Sequence, residues 1–118
     1  MVPFKSGNIT DSGTATFVAS IARADFTTAE VTLQGKSSTG DIFSAKMVIT
    51  QDGGTNITHT IYAETNLGTL PAGHAYTVAF GDATGGSTNT NFVVIKYAHT
   101  KSSTTYAISG VALCTANA

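Results

Sequence analysis

The sequence predicts an all-β domain, an antiparallel β-sandwich or small barrel of about seven strands with an extended N-terminal arm. Three observations lead to this fold class. No segment keeps the 3.6-residue periodicity of an amphipathic helix, and several segments alternate apolar and polar residues with a period of two. Turn-forming residues recur at intervals of roughly 8 to 12 residues, which is typical of sandwiches and barrels built from short strands.

Seven segments have the alternation of a half-buried strand. In 14–21 the alternation places Phe17 and Ile21 on the covered face and Val18 on the opposite face. In 91–98 the set that contains Ile95 is the more apolar one, so we expect it to face the core. The predicted strands cover residues 14–21, 29–33, 42–50, 56–63, 75–80, 91–98 and 104–113.

Turn sequences connect these strands. Residues 51–54 (Gln-Asp-Gly-Gly) are the strongest hairpin signal in the chain, and they predict antiparallel pairing of the strands on either side. Residues 81–89 form a polar, glycine-rich loop in which we expect the Asp82 side chain to bond its own backbone. Glycine and other turn residues interrupt any pattern in 1–13, which predicts an arm outside the core and leaves 14–118 as the β domain.

Composition limits the partners of the protein. The chain has 118 residues, the length of one domain, and its charged fraction of 11% is less than half of the about 25% usual in globular proteins. Roughly a quarter of the residues are Ser or Thr, so hydroxyl groups replace charges on the surface. The six Lys and Arg residues are dispersed, which argues against a nucleic-acid partner. The net charge of −1 leaves little repulsion between copies and therefore permits assembly.

Cysteine and hydropathy indicate where the protein is made. Cys114 is the single cysteine, so no intrachain disulfide can form, and we expect synthesis in a reducing cytoplasm. No apolar stretch has the length of a signal peptide, and none approaches the roughly 20 residues of a membrane span. We therefore expect no membrane association.

The sequence carries no recognisable active site. His59, His74 and His99 lie on different predicted elements and form no pair with metal-ligand spacing. The carboxylates are scattered, no Ser or Thr lies in a nucleophile motif, and residues 81–86 lack the Lys-Ser/Thr ending of a phosphate loop. We therefore expect no catalytic residues, no metal and no cofactor.

The composition and the segment 92–111 (FVVIKYAHTKSSTTYAISGV) resemble β-sandwich domains of tailed-bacteriophage virion proteins, including capsid decoration proteins and fibre domains. The resemblance implies a structural component of a phage particle, often a homotrimer, made in the host cytoplasm and located in the virion. With an arm ahead of the sandwich, it favours a capsid decoration (cement) protein that binds the major capsid protein. The expected contact residues are in the arm, where backbone hydrogen bonds can extend a neighbouring sheet: Met1, Val2, Pro3, Phe4 and Lys5.

Two other functions remain open. The first is a receptor-binding or adhesion module of a fibre, which recognises cell-surface glycan through exposed tyrosines and the loop residues Asp82, Thr84, Ser87 and Asn89. The four tyrosines have a second interpretation, because aromatic residues in strands commonly pack a sheet. The last alternative is a small hydrolase subunit whose site forms at an oligomer interface, and no residue favours it.

Overall fold

A computed structural model describes residues 2–115, and its eight antiparallel strands confirm the predicted fold class. The strands are β1 (Val2–Ile9), β2 (Thr16–Ala22), β3 (Thr28–Ser37), β4 (Ile42–Gln51), β5 (Ile57–Leu67), β6 (Ala75–Gly81), β7 (Phe92–Ala98) and β8 (Tyr106–Cys114). Five of them form one sheet in the order β1-β8-β3-β4-β5, and three form a second sheet in the order β2-β7-β6. Within the described residues, the helical content is one turn of 3-10 helix, Arg23–Asp25.

The inner faces of the two sheets enclose one hydrophobic core. Alternate residues of β3 and β4 are buried, as the period of two requires, and the predicted inner face of β7 is confirmed by Ile95 and its alternating neighbours. Burying one such side chain contributes on the order of 1.5–3 kcal/mol. The fully buried large side chains are Ile9, Phe26, Val31, Leu33, Met47, Ile49, Val93, Ile95, Tyr97, His99, Tyr106 and Ile108.

The first strand replaces the arm that we expected outside the core. β1 pairs with β8 along its whole length, and its last residue, Ile9, is buried in the core. The pairing shifts register between Lys5 and Asn8, where the Ser6 hydroxyl oxygen accepts the backbone N–H of Ile108 at 2.8 Å. Gly7 and Asn8, which interrupted the alternation, therefore lie at a β-bulge inside a strand, whereas residues 11–13 lie in the turn between β1 and β2. The ordered β domain includes residues that we had assigned to the arm.

A second bulge changes the faces of β2. Phe17 pairs with Lys96 and Ala19 pairs with Ile95, so Val18 is the extra residue between them. The bulge buries Val18 and turns Phe17 to the outer face of the three-stranded sheet, where its side chain is half-buried. The prediction for these two side chains was wrong, because strict alternation does not continue across a bulge.

The β4–β5 hairpin forms where the sequence predicted it, with Gln51 pairing with Ile57. Gln51 is buried and joins the hairpin to the 3-10 turn. Its side-chain N–H groups donate to the carbonyls of Arg23 at 3.0 Å and Phe26 at 2.5 Å, and its Oε1 accepts the N–H of Gly53 at 2.8 Å. The side chain therefore has partners for both of its polar ends, as burial demands.

Candidate binding site and contact face

The loop between β6 and β7, residues 82–91, is organised by the carboxylate of Asp82. Oδ1 accepts the hydroxyl of Thr84 at 2.7 Å and the N–H groups of Thr84 and Gly86 at 2.8 and 3.0 Å, while Oδ2 accepts the N–H of Thr88 at 3.1 Å. These bonds, with the Thr84 hydroxyl first, hold the pKa of the Asp82 carboxyl well below its usual value. Asp82 is 8% exposed, so its carboxylate builds the loop and is not free for a ligand.

The loop folds back over the outer face of the three-stranded sheet. The Ser20 hydroxyl of β2 donates to the carbonyl of Ala83 at 2.9 Å. Gly85 has φ +86°, and a Cβ there would lie 2.6 Å from Cδ1 of Phe17. Both the backbone angle and the ring below it therefore require glycine at this position.

An open depression of about 490 Å³ lies between this loop and the sheet. Its volume is within the roughly 300–1,000 Å³ range of small-ligand sites. We call it the loop pocket. Its lining combines one cation, two hydroxyl groups and small or apolar groups: Ala15, Thr77, Ala79, Phe80, Gly85, Gly86, Ser87, Val94 and Lys96.

Lys96 supplies the charge of the loop pocket. Strand register places Phe17, Lys96 and Thr77 in one row across the three-stranded sheet, with Lys96 on the central strand. Its side chain is half-buried, and within residues 2–115 its ammonium group makes no hydrogen bond or ion pair. The pocket therefore holds a cation without a counter-charge.

The predicted loop residues divide into three groups. Asp82 is consumed by the loop itself, and Ser87 lines the loop pocket. Thr84 and Asn89 are exposed, but their polar groups make local bonds, Thr84 to Asp82 and Asn89 Oδ1 to the N–H of Asn91 at 3.0 Å. The sequence offered one signal that we did not use, a lysine at position 96 within an otherwise apolar strand.

The predicted arm residues lie on β1, apart from Met1, which lies outside the described residues. Val2, Pro3 and Lys5 are exposed, whereas Phe4 is half-buried and packs against the core. Among residues 2–115, β1 pairs with β8 alone, so its other side is an edge of the five-stranded sheet. Pro3 lacks an N–H group, and edge strands are where proline is tolerated.

The outer face of the five-stranded sheet is the second notable surface, and we call it the broad face. It carries three exposed large apolar side chains, Tyr62 at 40%, Leu67 at 72% and Leu113 at 56% exposure. On this face the Lys46 ammonium nitrogen lies 3.6 Å from Oε1 of Glu30 and forms an ion pair with it. The Tyr62 hydroxyl donates to the same carboxylate at 3.2 Å. The broad face therefore combines exposed apolar groups with one internal ion pair, and strand register also places the exposed Lys5 and Lys36 on it.

The tyrosines and histidines serve mainly to build the core. Tyr76, Tyr97 and Tyr106 are buried, and burial raises the pKa of each phenol, so these three form no exposed platform. His74 Nδ1 lies 2.7 Å from the Tyr97 hydroxyl, and burial lowers the pKa of His74. His99 Nε2 lies 3.0 Å from the carbonyl oxygen of Ile9, which ties the end of β1 to the core.

His59 lies on β5, where it is half-buried, and the other two histidines lie on other parts of the chain. Across residues 2–115, no three His, Cys, Asp or Glu side chains come together in a group that could hold a metal ion. A search of the same residues for helices long and apolar enough to cross a membrane finds none.

In comparisons with known proteins, no family model, curated protein or solved structure matches this chain.

Proposed function

We propose that the protein is a non-enzymatic virion structural protein of a tailed bacteriophage, a decoration protein that binds the outside of the capsid. The observation that carries this proposal is the broad face, on which Tyr62, Leu67 and Leu113 are exposed. Protein interfaces are enriched in aromatic residues, and Tyr62 supplies one on the broad face beside the exposed leucines.

The geometry of the broad face supports attachment to another protein surface. Five paired strands provide a wide, continuous surface, and side chains on it are held in place by the ladder beneath them. The ion pair of Glu30 with Lys46 removes two of its charges from competition with a partner. Contact over such an area strengthens binding through many weak interactions, since each buried apolar Å² contributes about 25 cal/mol before the costs of association.

The edge of β1 offers a second mode of attachment. Backbone groups along the open side of an edge strand can pair with a strand of a neighbouring chain. The stretch from Val2 to Lys5 precedes the bulge and is therefore the regular part of this edge. We propose that it joins copies of the protein or reaches the major capsid protein beside it.

Retention on capsids tests the proposal. Capsids that lack the protein are mixed with purified wild type, with Leu113→Lys, or with the matched control Ala83→Lys, which adds the same charge to an exposed loop position on the opposite side of the sandwich. After sedimentation, wild type and Ala83→Lys are expected in the capsid fraction, and Leu113→Lys in the supernatant. Equal retention of the two variants would contradict attachment through the broad face, and no retention of wild type would contradict the decoration role.

Assembly state is tested separately. The resemblance to virion proteins implies a homotrimer, so size-exclusion chromatography with light scattering is expected to give three times the chain mass of 12.1 kDa. A monomer at all concentrations would contradict the trimer while leaving attachment to capsids to the sedimentation experiment.

A second function, adhesion to cell-surface glycan, is favoured by the loop pocket. Its volume of about 490 Å³ suits one sugar ring, and Ser87, which we predicted as a glycan contact, lines it. The two functions separate on a glycan array. Binding of the isolated protein to specific glycans without retention on capsids would favour the adhesion module over the decoration protein.

A further inference from the structure

We propose that the loop pocket binds an acidic sugar, a uronic acid unit whose carboxylate pairs with the ammonium group of Lys96. This inference rests on the second proposed function and names its ligand class.

Lys96 differs from the other described lysines in its surroundings. Among the lysines of residues 2–115, Lys46 and Lys101 have carboxylate partners, Glu30 and Asp41 respectively. Lys5 and Lys36 have no such partner and are exposed to solvent. Lys96 differs from all four, because it is half-buried, lines a pocket and has no carboxylate partner. A partly desolvated ammonium group gains most from an anion delivered into the same pocket.

The loop chemistry selects a singly charged anion. Phosphate sites in glycine-rich loops depend on backbone N–H groups that point at the ligand. Here the N–H of Gly85 donates to the Asp82 carbonyl at 3.0 Å, and the N–H of Gly86 donates to the Asp82 carboxylate at 3.0 Å. These donors are used inside the loop and do not point at a ligand. Lys96 is the one charged side chain in the lining of the pocket, and a carboxylate matches its single charge.

The rest of the lining suits a sugar ring. The hydroxyls of Thr77 and Ser87 line the pocket, and neither makes a hydrogen bond within the described residues. Ala79 and Val94, which pair with each other on the same face of the sheet as Lys96, supply apolar surface. A sugar ring presents both hydroxyls and apolar C–H groups, and the pocket has room for one such ring.

The test is a titration of isotope-labelled protein followed by NMR, with sodium glucuronate, glucose and inorganic phosphate as separate probes. Glucuronate is expected to shift the backbone amide signals of Thr77, Ser87 and Lys96 with a millimolar dissociation constant, about tenfold tighter than glucose. Raising the salt concentration is expected to weaken glucuronate binding, because a partly exposed ion pair is screened.

Variants assign the effect to the proposed contact. Lys96→Gln is expected to lower glucuronate affinity to that of glucose, and Lys96→Arg to restore most of it. Lys36→Gln, which removes an exposed lysine from the other sheet, is the matched control and is expected to bind like wild type.

Each contrary result has its own meaning. Equal affinity for glucose and glucuronate, or unchanged binding by Lys96→Gln, would overturn the acidic-sugar inference and leave glycan adhesion standing. A stronger response to phosphate at the same amides would overturn the argument from the loop N–H groups. Absence of any response to glucuronate would overturn the inference, and a glycan array without specific binding would overturn the adhesion function, whereas retention on capsids would be unaffected by either result.

Discussion

Two loops of this protein use the same residue types and play different roles. In the β4–β5 loop, Asp52 is exposed and accepts the N–H groups of Gly54 and Asn56 and the Asn56 side chain at 2.7 to 3.2 Å. In the β6–β7 loop, Asp82 is buried and accepts four bonds from three residues. Hydrogen bonds lower the pKa of both carboxyls, chiefly from the Asn56 side chain in the first and from the Thr84 hydroxyl in the second.

The glycines of the two loops show what separates them. Gly53 has φ +78° and open space around it, so it is required by the backbone angle alone. Gly85 has φ +86° and also lies against Phe17 of β2. The first loop reverses the chain at the end of a hairpin. The second packs onto the sheet, and this packing turns a loop into the wall of a pocket.

The largest expected effect is that of Asp82→Ala. The substitution leaves the N–H groups of Thr84, Gly86 and Thr88 without their acceptor, and donors that lose their partner in a packed loop cost free energy. We expect the melting temperature, followed by circular dichroism, to fall clearly more than in Asp52→Ala, whose loop stays open to water. Equal falls in the two variants would contradict the distinction between the loops.

The next largest effect is the difference in stability between two glycine-to-alanine substitutions, one in each loop. Gly53→Ala places a side chain at positive φ in open space, and we expect a loss of about 1 kcal/mol in the free energy of unfolding. Gly85→Ala adds the clash with Phe17, and we expect about 2–4 kcal/mol in total. Urea unfolding of both variants measures the difference, and a loss in Gly85→Ala no larger than in Gly53→Ala would show that the loop is not packed on the sheet.

The Asp82 pKa predicts a pH dependence. Because folding lowers this pKa below 3.8, the unfolded chain binds more protons at acid pH. The contribution of Asp82 to stability is therefore complete above pH 3.8 and is lost as the pH falls through the lower, folded value. As the pH is lowered below 3.8, we expect the melting temperature of wild type to fall, and that of Asp82→Asn to fall less. Parallel pH curves for the two proteins would contradict the assignment.

The smallest effect concerns the tether of the loop. Ser20→Ala removes the hydroxyl that donates to the Ala83 carbonyl, and we expect a loss of about 0.5 kcal/mol, at the low end for one partly exposed hydrogen bond. Hydrogen exchange gives the sharper measurement. Amides of 84–88 are expected to exchange faster in this variant, while those of 53–56 keep their wild-type rates.

Much of the fold could be predicted from local pattern. The seven predicted segments correspond to β2 through β8, the hairpin at 51–54 lies where its Asp-Gly turn placed it, and Asp82 bonds its own loop. Each of these depends on neighbours within a few residues. Period-two alternation and turn chemistry are visible at that range.

The features that were missed depend on irregular or distant pairing. The bulges in β1 and β2 interrupt the alternation, so one strand was predicted as an arm and Phe17 was placed on the wrong face. The loop pocket exists because strand order puts Phe17 and Thr77 on either side of Lys96. Strand order does not follow from local pattern. A lysine in an apolar strand indicates that this strand has a polar face, but it does not indicate that a loop covers that face.

Location on the intact particle tests the central claim most directly. If the broad face binds the capsid, the β6–β7 loop on the opposite side of the sandwich points away from it. An antibody raised against residues 82–91 is therefore expected to place immunogold label over the heads of intact virions. Label confined to fibre tips, or no label on virions that contain the protein, would contradict attachment to the capsid through the broad face.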